Sequence, residues 1–123
     1  MKHILVVEDG LTMRLFYRDV LEAAGFQVDE AANGVEGLER AMLQPFDLAI
    51  VDVNMPKMDG FEMIRRMRQH PDLSSLPVAT ISTEAGESDM ARAYAAGANY
   101  YLVKPAPPGD LALVARLLTG ERL

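Results

Sequence analysis

Short aliphatic runs alternate with helical patterns five times along the chain, and this alternation constrains the fold more than any other feature. The runs occupy residues 4–7, 27–31, 48–51, 78–81 and 100–103. The stretches between and after them carry apolar residues three or four positions apart, the spacing of an amphipathic helix. Strands that alternate with helices in this way form βαβ units and a parallel sheet. We therefore predict one α/β domain of five strands and five helices over residues 1–123.

The predicted helices are bounded by turn residues and each carries an apolar stripe. Thr12 is a candidate N-cap of the first helix, and Gly97 ends the fourth, which covers residues 88–96. The residues expected to face the core are Met13, Phe16, Val20 and Ala24 in the first helix, Val35, Leu38 and Met42 in the second, Phe61, Ile64 and Met67 in the third, Met90, Ala93 and Tyr94 in the fourth, and Leu111, Val114 and Leu118 in the fifth.

Five units of this length fold into a doubly wound sheet with right-handed crossovers. We adopt the strand order 2-1-3-4-5 from the known arrangement of flavodoxin-like domains, because these residues alone do not establish it. In such a sheet ligands bind beyond the carboxyl ends of strands 1 and 3, where the strand order reverses. The residues that follow positions 7 and 51 are therefore the candidates for a functional site.

Three acidic residues stand at those positions. Glu8 and Asp9 follow the first strand, and Asp52 follows the third. Two carboxylates about 5 Å apart repel each other by roughly 3 kcal/mol at an effective dielectric constant near 20. Any one of these acids alone is better interpreted as a solvated strand end. Three at one crevice instead favour a hard divalent cation, and we predict Mg²⁺, for which Mn²⁺ can substitute.

Cationic and hydroxyl side chains end the last two strands. Lys104 follows the fifth strand, where its ammonium can reach a phosphoryl oxygen or an acidic side chain. With Mg²⁺ it would neutralise the three carboxylates. Ser82 ends the fourth strand, and Thr83 is next to it. Either hydroxyl can bond an anion, or can instead cap the following helix.

The chain resembles the receiver domains of two-component response regulators, and most of all the stand-alone chemotaxis regulators. The resemblance covers essentially all 123 residues. It depends on four motifs, which are Glu8-Asp9, DVNMPKMDG at residues 52–60, STEA at residues 82–85 and YLVKP at residues 101–105. The order and positions of these motifs on strand ends make the resemblance specific.

The resemblance implies a phosphorylation switch. Asp52 would accept a phosphoryl group from the phosphohistidine of a histidine kinase or a histidine phosphotransfer protein. Mg²⁺ would be held by Glu8, Asp9, Asp52 and the backbone carbonyl of Asn54. The metal and Lys104 would neutralise charge on the transferred group. Such a domain is a signalling switch that phosphorylates and dephosphorylates itself, and not a turnover enzyme.

The resemblance also assigns switching and timing roles. Ser82 would move towards the phosphoryl group while Tyr101 turns inward, which reshapes the face made by helix 4, strand 5 and helix 5. A downstream protein would bind this face. Asn54 and Glu84 would tune dephosphorylation, and we expect a short-lived phosphorylated state. Gly86-Glu87 and Ala106 depart from the chemotaxis pattern, so the output target is not predicted.

Alternative functions remain open from the sequence. The triplet Asp52-Val53-Asn54 also fits a Mg²⁺-dependent phosphatase with an aspartyl nucleophile, although such enzymes place it after the first strand and carry a cap. A flavin or nucleotide module would need a phosphate-binding loop where Glu8-Asp9-Gly10 stands. A receiver cut from a larger regulator or hybrid kinase would look the same as a single-domain regulator without an effector domain. A scaffold that is never phosphorylated is disfavoured because every site position is present.

Composition excludes several classes of protein. The net charge of −6 argues against nucleic-acid binding, and the cluster Arg65, Arg66 and Arg68 is interpreted as a solvated helix face. With no cysteine and no apolar run of membrane-spanning length, we expect neither disulfides nor a membrane segment. We expect the protein to be cytoplasmic. We also expect it to be a monomer, or a weak dimer on phosphorylation.

Overall fold

The computed structural model of the protein describes residues 1–121 and shows a five-stranded parallel sheet in the order β2-β1-β3-β4-β5. The strands are β1 His3–Val7, β2 Gln27–Ala31, β3 Leu48–Asp52, β4 Val78–Ser82 and β5 Tyr100–Val103. The helices are α1 Leu11–Ala23, α2 Gly34–Leu43, α3 Gly60–Gln69, α4 Glu87–Ala96 and α5 Pro108–Thr119. The predicted fold class and strand order are confirmed. None of the helices in this described range is both long and apolar enough to cross a bilayer.

Two hydrophobic cores lie on opposite faces of the sheet, because successive strand side chains point in opposite directions. Leu5 and Val7 of β1 pack into one core, together with residues of α2, α3 and α4. Ile4 and Val6 pack into the other, together with residues of α1 and α5. All four residues are inaccessible to solvent. The central strands are therefore apolar on both faces, as parallel strands covered by helices must be.

Side-chain caps begin two of the helices. Asn33 accepts a hydrogen bond from the backbone N–H of Glu36 at 3.0 Å, and Asp59 accepts one from Glu62 at 2.9 Å. The prediction that Thr12 caps α1 was wrong, because Gly10 occupies that position and makes no side-chain cap. The first turn of α1 begins immediately after the acidic pair, which places Thr12 inside the helix.

Four predicted core residues are exposed instead, namely Phe16, Val35, Met42 and Tyr94. On α1 the inward position falls one residue later, at Tyr17, which is fully buried with Leu21. On α4 the small residues Ala93 and Ala96 face the core. The apolar spacing identified each helix correctly. The inward face was predicted wrongly at these positions because large apolar residues also lie beside the buried stripe.

Close packing explains why small residues face the sheet on α2. A Cβ atom on Gly37 would lie 2.9 Å from both Val7 Cγ2 and Met63 Cε. The helix therefore sits too near β1 and α3 for a larger side chain, and Gly34, Gly37 and Ala41 form its buried side. Val35 and Met42 are directed away from the sheet because the inner face is already filled.

Arg68 is half-buried and bonds the ends of three elements, so its interpretation as a solvated residue was wrong. Arg65 and Arg66 are exposed, as predicted. Its Nε and Nη2 atoms both donate to the carbonyl of Gly97, at 3.0 and 2.8 Å. Its Nη1 atom donates to the carbonyl of Leu76 at 2.7 Å. Nη2 also donates to Asn99 Oδ1 at 3.1 Å. The side chain thus ties the end of α3 to the loop before β4 and to the end of α4.

We expect Arg68→Ala to lower the free energy of unfolding by about 2–3 kcal/mol, because several backbone carbonyls lose their charged donor. Arg65→Ala is the matched control, since its exposed ion pair with Glu62 contributes at most about 0.5 kcal/mol. Urea denaturation of both variants measures the difference. Equal losses in the two variants would contradict a structural role for Arg68.

Candidate functional site

The predicted site residues lie together at the carboxyl edge of the sheet. Val7 of β1 pairs with Val51 of β3, so the residues that come next in each strand emerge side by side. Glu8, Asp9 and Asp52 each offer a carboxylate oxygen, and these atoms lie within 4.8 Å of one another. The sequence predicted this convergence, and the parallel register produces it.

Lys104 completes the cluster from the end of β5. Its Nζ lies 2.8 Å from Glu8 Oε1 and 3.0 Å from Asp52 Oδ1, so one ammonium bridges two carboxylates. The peptide bond between Lys104 and Pro105 is cis. Since the cluster holds three carboxylates and one ammonium, a negative charge remains for another cation to balance.

The two members of the acidic pair have different environments. Glu8 is only 2 % exposed, and its Oε2 accepts a hydrogen bond from the backbone N–H of Gly10 at 3.0 Å. Asp9 is exposed. The Glu8 carboxylate therefore contacts mainly groups inside the cluster. The Asp9 carboxylate is accessible from the solvent, and so to an incoming ligand.

The loop after β3 folds back tightly onto Asp52. A Cβ atom on Gly60 would lie 2.4 Å from the backbone carbonyl oxygen of Asp52, so only glycine fits here without a shift of the backbone. The N–H of Gly60 donates to the carbonyl of Val53 at 2.9 Å. Asn54 is exposed in this loop. Its role as a carbonyl ligand stays a prediction.

Burial and neighbouring charges shift the pKa values of the cluster. Burial, reinforced by the charge of Glu8 and opposed by Lys104, raises the pKa of Asp52 to about 7. Hydrogen bonding with Glu8, and then with Asp52, lowers the pKa of Asp9. Burial alone would lower the pKa of Lys104, but its hydrogen bonds to Glu8 and Asp52 raise it to about 12. The ammonium therefore remains charged at neutral pH.

The cluster fits a hard divalent cation by the chemistry of its donors. Its ligating atoms are all carboxylate oxygens, which Mg²⁺ prefers, and its charge is not balanced by Lys104 alone. Glu8, Asp9 and Asp52 are the residues that could hold such an ion. The predicted Mg²⁺ site is thus chemically supported by the arrangement of this chain's own side chains.

Ser82 and Tyr101 both contact the loop between β4 and α4. Ser82 is buried, and its Oγ accepts a hydrogen bond from the N–H of Glu84 at 3.1 Å. Tyr101 is also buried, and its hydroxyl donates to the carbonyl of Glu84 at 2.7 Å. Tyr101 thus already points inward in this structure. The other hydroxyl candidate, Thr83, is exposed.

Sequence reasoning missed two residues next to the site. Arg14 donates from Nη1 to the backbone carbonyl of Glu8 at 2.8 Å. Tyr17 is fully buried, and its hydroxyl has no hydrogen-bond partner among residues 1–121. Burial raises the pKa of Tyr17 to about 12, and the charges of Lys104 and the acidic cluster also act on it. No motif marks either residue, because their positions depend on how α1 packs.

A family model described as a response regulator receiver domain matches residues 4–116. The chain belongs to the response regulator receiver family. The receiver is 41 % identical over 111 residues to the KDP operon transcriptional regulatory protein KdpE of Escherichia coli K12, which covers 90 % of this chain and 48 % of that protein. It is 40 % identical over 102 residues to the sensor protein EvgS of the same strain, covering 83 % of this chain and 8 % of that one. The chain therefore spans less than half the length of these curated relatives.

Solved structures agree with this assignment. The chemotaxis response regulator CheY4 of Vibrio cholerae superposes with a TM-score of 0.91 at 34 % identity, covering 96 % of this chain and 98 % of that one. The receiver domain of the sensor histidine kinase PA1611 of Pseudomonas aeruginosa PAO1 gives a TM-score of 0.90 at 26 % identity, covering 98 % of both chains. The resemblance stated from the sequence motifs is confirmed.

The raised pKa of Asp52 predicts a pH-dependent cost of folding in the absence of metal. Because its pKa is about 4 in the unfolded chain and about 7 in the fold, the folded state binds more protons between those values. This carboxylate therefore destabilises the fold increasingly as the pH rises from about 4 to 7. Asp52→Asn should raise the free energy of unfolding at pH 8 by about 1–3 kcal/mol.

Urea denaturation in the presence of a chelator, at pH 5 and at pH 8, measures this effect. The gain of Asp52→Asn over the wild type should be larger at pH 8, where the wild-type carboxylate is ionised in the fold. A gain that is the same at both pH values, or a loss of stability, would contradict the assigned environment of Asp52.

Proposed function

We propose that the receiver accepts a phosphoryl group on Asp52 from the phosphohistidine of a histidine kinase or a histidine phosphotransfer protein. The observation that carries this proposal is the position of the Asp52 carboxylate, which lies 3.0 Å from Lys104 Nζ and within reach of two further carboxylates. Receiver domains as a family act in two-component signalling with histidine kinases and downstream targets. Membership in that family supports Asp52 as the acceptor.

In the proposed step an oxygen of Asp52 attacks the phosphorus atom. A P–O bond forms, the P–N bond to the histidine breaks, and the imidazole keeps the electron pair and takes up a proton. Lys104 stays charged and lies beside the acceptor, so it can stabilise negative charge on the oxygens of the transferred group. Burial and the ion pair with Lys104 restrict the orientation of the proposed nucleophile.

A divalent cation belongs to this proposal. When bound, Mg²⁺ supplies positive charge that offsets the charge of the phosphoryl oxygens. Glu8, Asp9 and Asp52 would hold it, and the family resemblance adds the backbone carbonyl of Asn54. The PA1611 receiver is described with a magnesium ion coordinated in its active-site cleft, which supports the same ion here. Mn²⁺ prefers the same oxygen ligands and should substitute.

The proposed signal passes through the loop between β4 and α4. Ser82 would turn its hydroxyl from the N–H of Glu84 towards the phosphoryl group. Tyr101 holds the carbonyl of the same residue, so a movement of this loop is coupled to the inward position of the ring. The face formed by α4, β5 and α5 would then bind a downstream protein in one state better than in the other.

The proposed molecule is a signalling switch and not a turnover enzyme. We propose that it works in the cytoplasm, where kinases make phosphohistidine from ATP, as a monomer or as a weak dimer on phosphorylation. Its matched relatives include a sensor protein, a transcriptional regulator and a chemotaxis regulator. A receiver that belongs to a larger regulator or hybrid kinase would use the same chemistry at Asp52.

Incubation with acetyl phosphate and Mg²⁺ should add one phosphoryl group per molecule, measured by intact mass spectrometry. A chelator or the change Asp52→Asn should abolish the addition, because each removes a required charge or the nucleophile. Asp72→Asn, which alters an exposed acid outside the site, should label like the wild type. Labelling that survives Asp52→Asn would refute the assignment. Repeated hydrolysis of a phosphomonoester such as p-nitrophenyl phosphate would instead indicate the phosphatase.

We also expect the phosphorylated state to be short-lived. Asn54 and Glu84 are exposed and polar, and they lie on the two loops that border Asp52, where their side chains can orient a water molecule for attack on the phosphoryl group. The double change of both residues to alanine should lengthen the half-life several-fold. Loss of the label after removal of the donor measures it, and Glu87→Ala serves as the control. An unchanged half-life would remove both residues from this role.

A further inference from the structure

Arg14, in the first turn of α1, connects the acidic pair to β2. Its Nη1 donates to the backbone carbonyl of Glu8 at 2.8 Å, and its Nε donates to Glu30 Oε1 at 2.9 Å. The side chain is mostly buried. Because the guanidinium group is planar and its donors are fixed relative to one another, these two bonds set the position of the Glu8 carbonyl relative to β2.

The Glu8 carbonyl controls the direction of the next residue. The peptide unit that contains this carbonyl is planar and ends at the Cα atom of Asp9. Fixing the carbonyl therefore restricts where the exposed Asp9 carboxylate can point. The turn is also held through the Glu8 side chain, which bonds Lys104 Nζ and the N–H of Gly10. These bonds involve the carboxylate of Glu8, whereas the bond from Arg14 fixes its carbonyl. Arg14 is thus the side chain that bonds the backbone carbonyl of this turn directly.

Glu30 holds Arg14 in this orientation. Its carboxylate pairs with Arg14 through Oε1 and with Arg18 through Oε2. Hydrogen bonds from Arg18 and Arg14 lower the pKa of Glu30, so it stays ionised at neutral pH. Arg18 pairs with Glu30 and Glu22 and has no hydrogen bond to Glu8. A comparison of the two arginines therefore separates attachment of α1 to β2 from orientation of the acidic pair.

We infer that Arg14 is a positioning residue, which orients the Glu8-Asp9 turn for the divalent cation and acts through the Glu8 carbonyl without touching the metal. This inference rests on the function proposed above. Residues that orient metal ligands from outside the coordination shell commonly change metal affinity by ten-fold or more when replaced. Arg14→Gln should therefore raise the Kd for Mg²⁺ about ten-fold, and Arg18→Gln should change it less than about two-fold.

Two measurements on the full chain test this inference. Isothermal titration calorimetry with MgCl₂ gives the Kd for the wild type, Arg14→Gln, Arg18→Gln and Glu30→Gln. Amide hydrogen exchange of the metal-free proteins reports on the turn directly. The amide of Gly10, bonded to Glu8 Oε2, should exchange faster in Arg14→Gln than in Arg18→Gln. Glu30→Gln should fall between them, because it loosens Arg14 without removing its bond to the Glu8 carbonyl.

The outcomes separate the inference from the function on which it rests. Equal Mg²⁺ affinities of Arg14→Gln and Arg18→Gln, with a wild type that binds Mg²⁺, would overturn the role of Arg14 alone. A wild type that binds no Mg²⁺ would overturn the proposed function and this inference with it. If Arg14→Gln does not fold, Glu30→Gln against Arg18→Gln is the deciding pair, and equal Mg²⁺ affinities there would refute the positioning role.

Discussion

The charges at the carboxyl edge of the sheet are the constraint on which the rest of this structure depends. Glu8 and Asp52 are held close together with almost no exposure to water, and Lys104 bridges them. Like charges about 4 Å apart repel by roughly 4 kcal/mol at an effective dielectric constant near 20. The ammonium relieves part of this repulsion, but burial, reinforced by the charge of Glu8, still raises the pKa of Asp52. The cluster thus keeps an excess of negative charge that a divalent cation can offset.

The surrounding scaffold is rigid where the site requires it. The sheet lies between two hydrophobic cores. Gly37 lets α2 approach β1, and Gly60 lets the end of the loop after β3 approach Asp52, closer than a Cβ atom would allow. The close contact at Gly60 holds the backbone of Asp52 in place. Dense packing of this kind restricts the position of the Asp52 carboxylate, as the proposed phosphoryl transfer requires.

One short loop, residues 83–86, connects the end of β4 beside the proposed site to the start of α4. Glu84 offers its N–H to Ser82 and its carbonyl to Tyr101, so both proposed switch residues bond the same backbone segment. At the opposite end of α4, Arg68 fixes the carbonyl of Gly97. In the proposed switch, α4 would therefore move mainly at its N-terminal end, because its C-terminal end is held by Arg68.

Much of this molecule follows from sequence order alone. A buried parallel strand is a short, continuous apolar run, and residues 48–51 show this pattern. The carboxyl ends of parallel strands lie at the same edge of the sheet, so Glu8, Asp9, Asp52 and Lys104 could be assigned to one edge. Three features could not be predicted from the sequence. They are the inward sides of α1 and α2, the bonds of Arg68, and the contact of Arg14 with the Glu8 carbonyl. These features depend on distances between elements that are remote in sequence, and only the packed tertiary structure decides how near two helices lie and which backbone carbonyl a long side chain reaches.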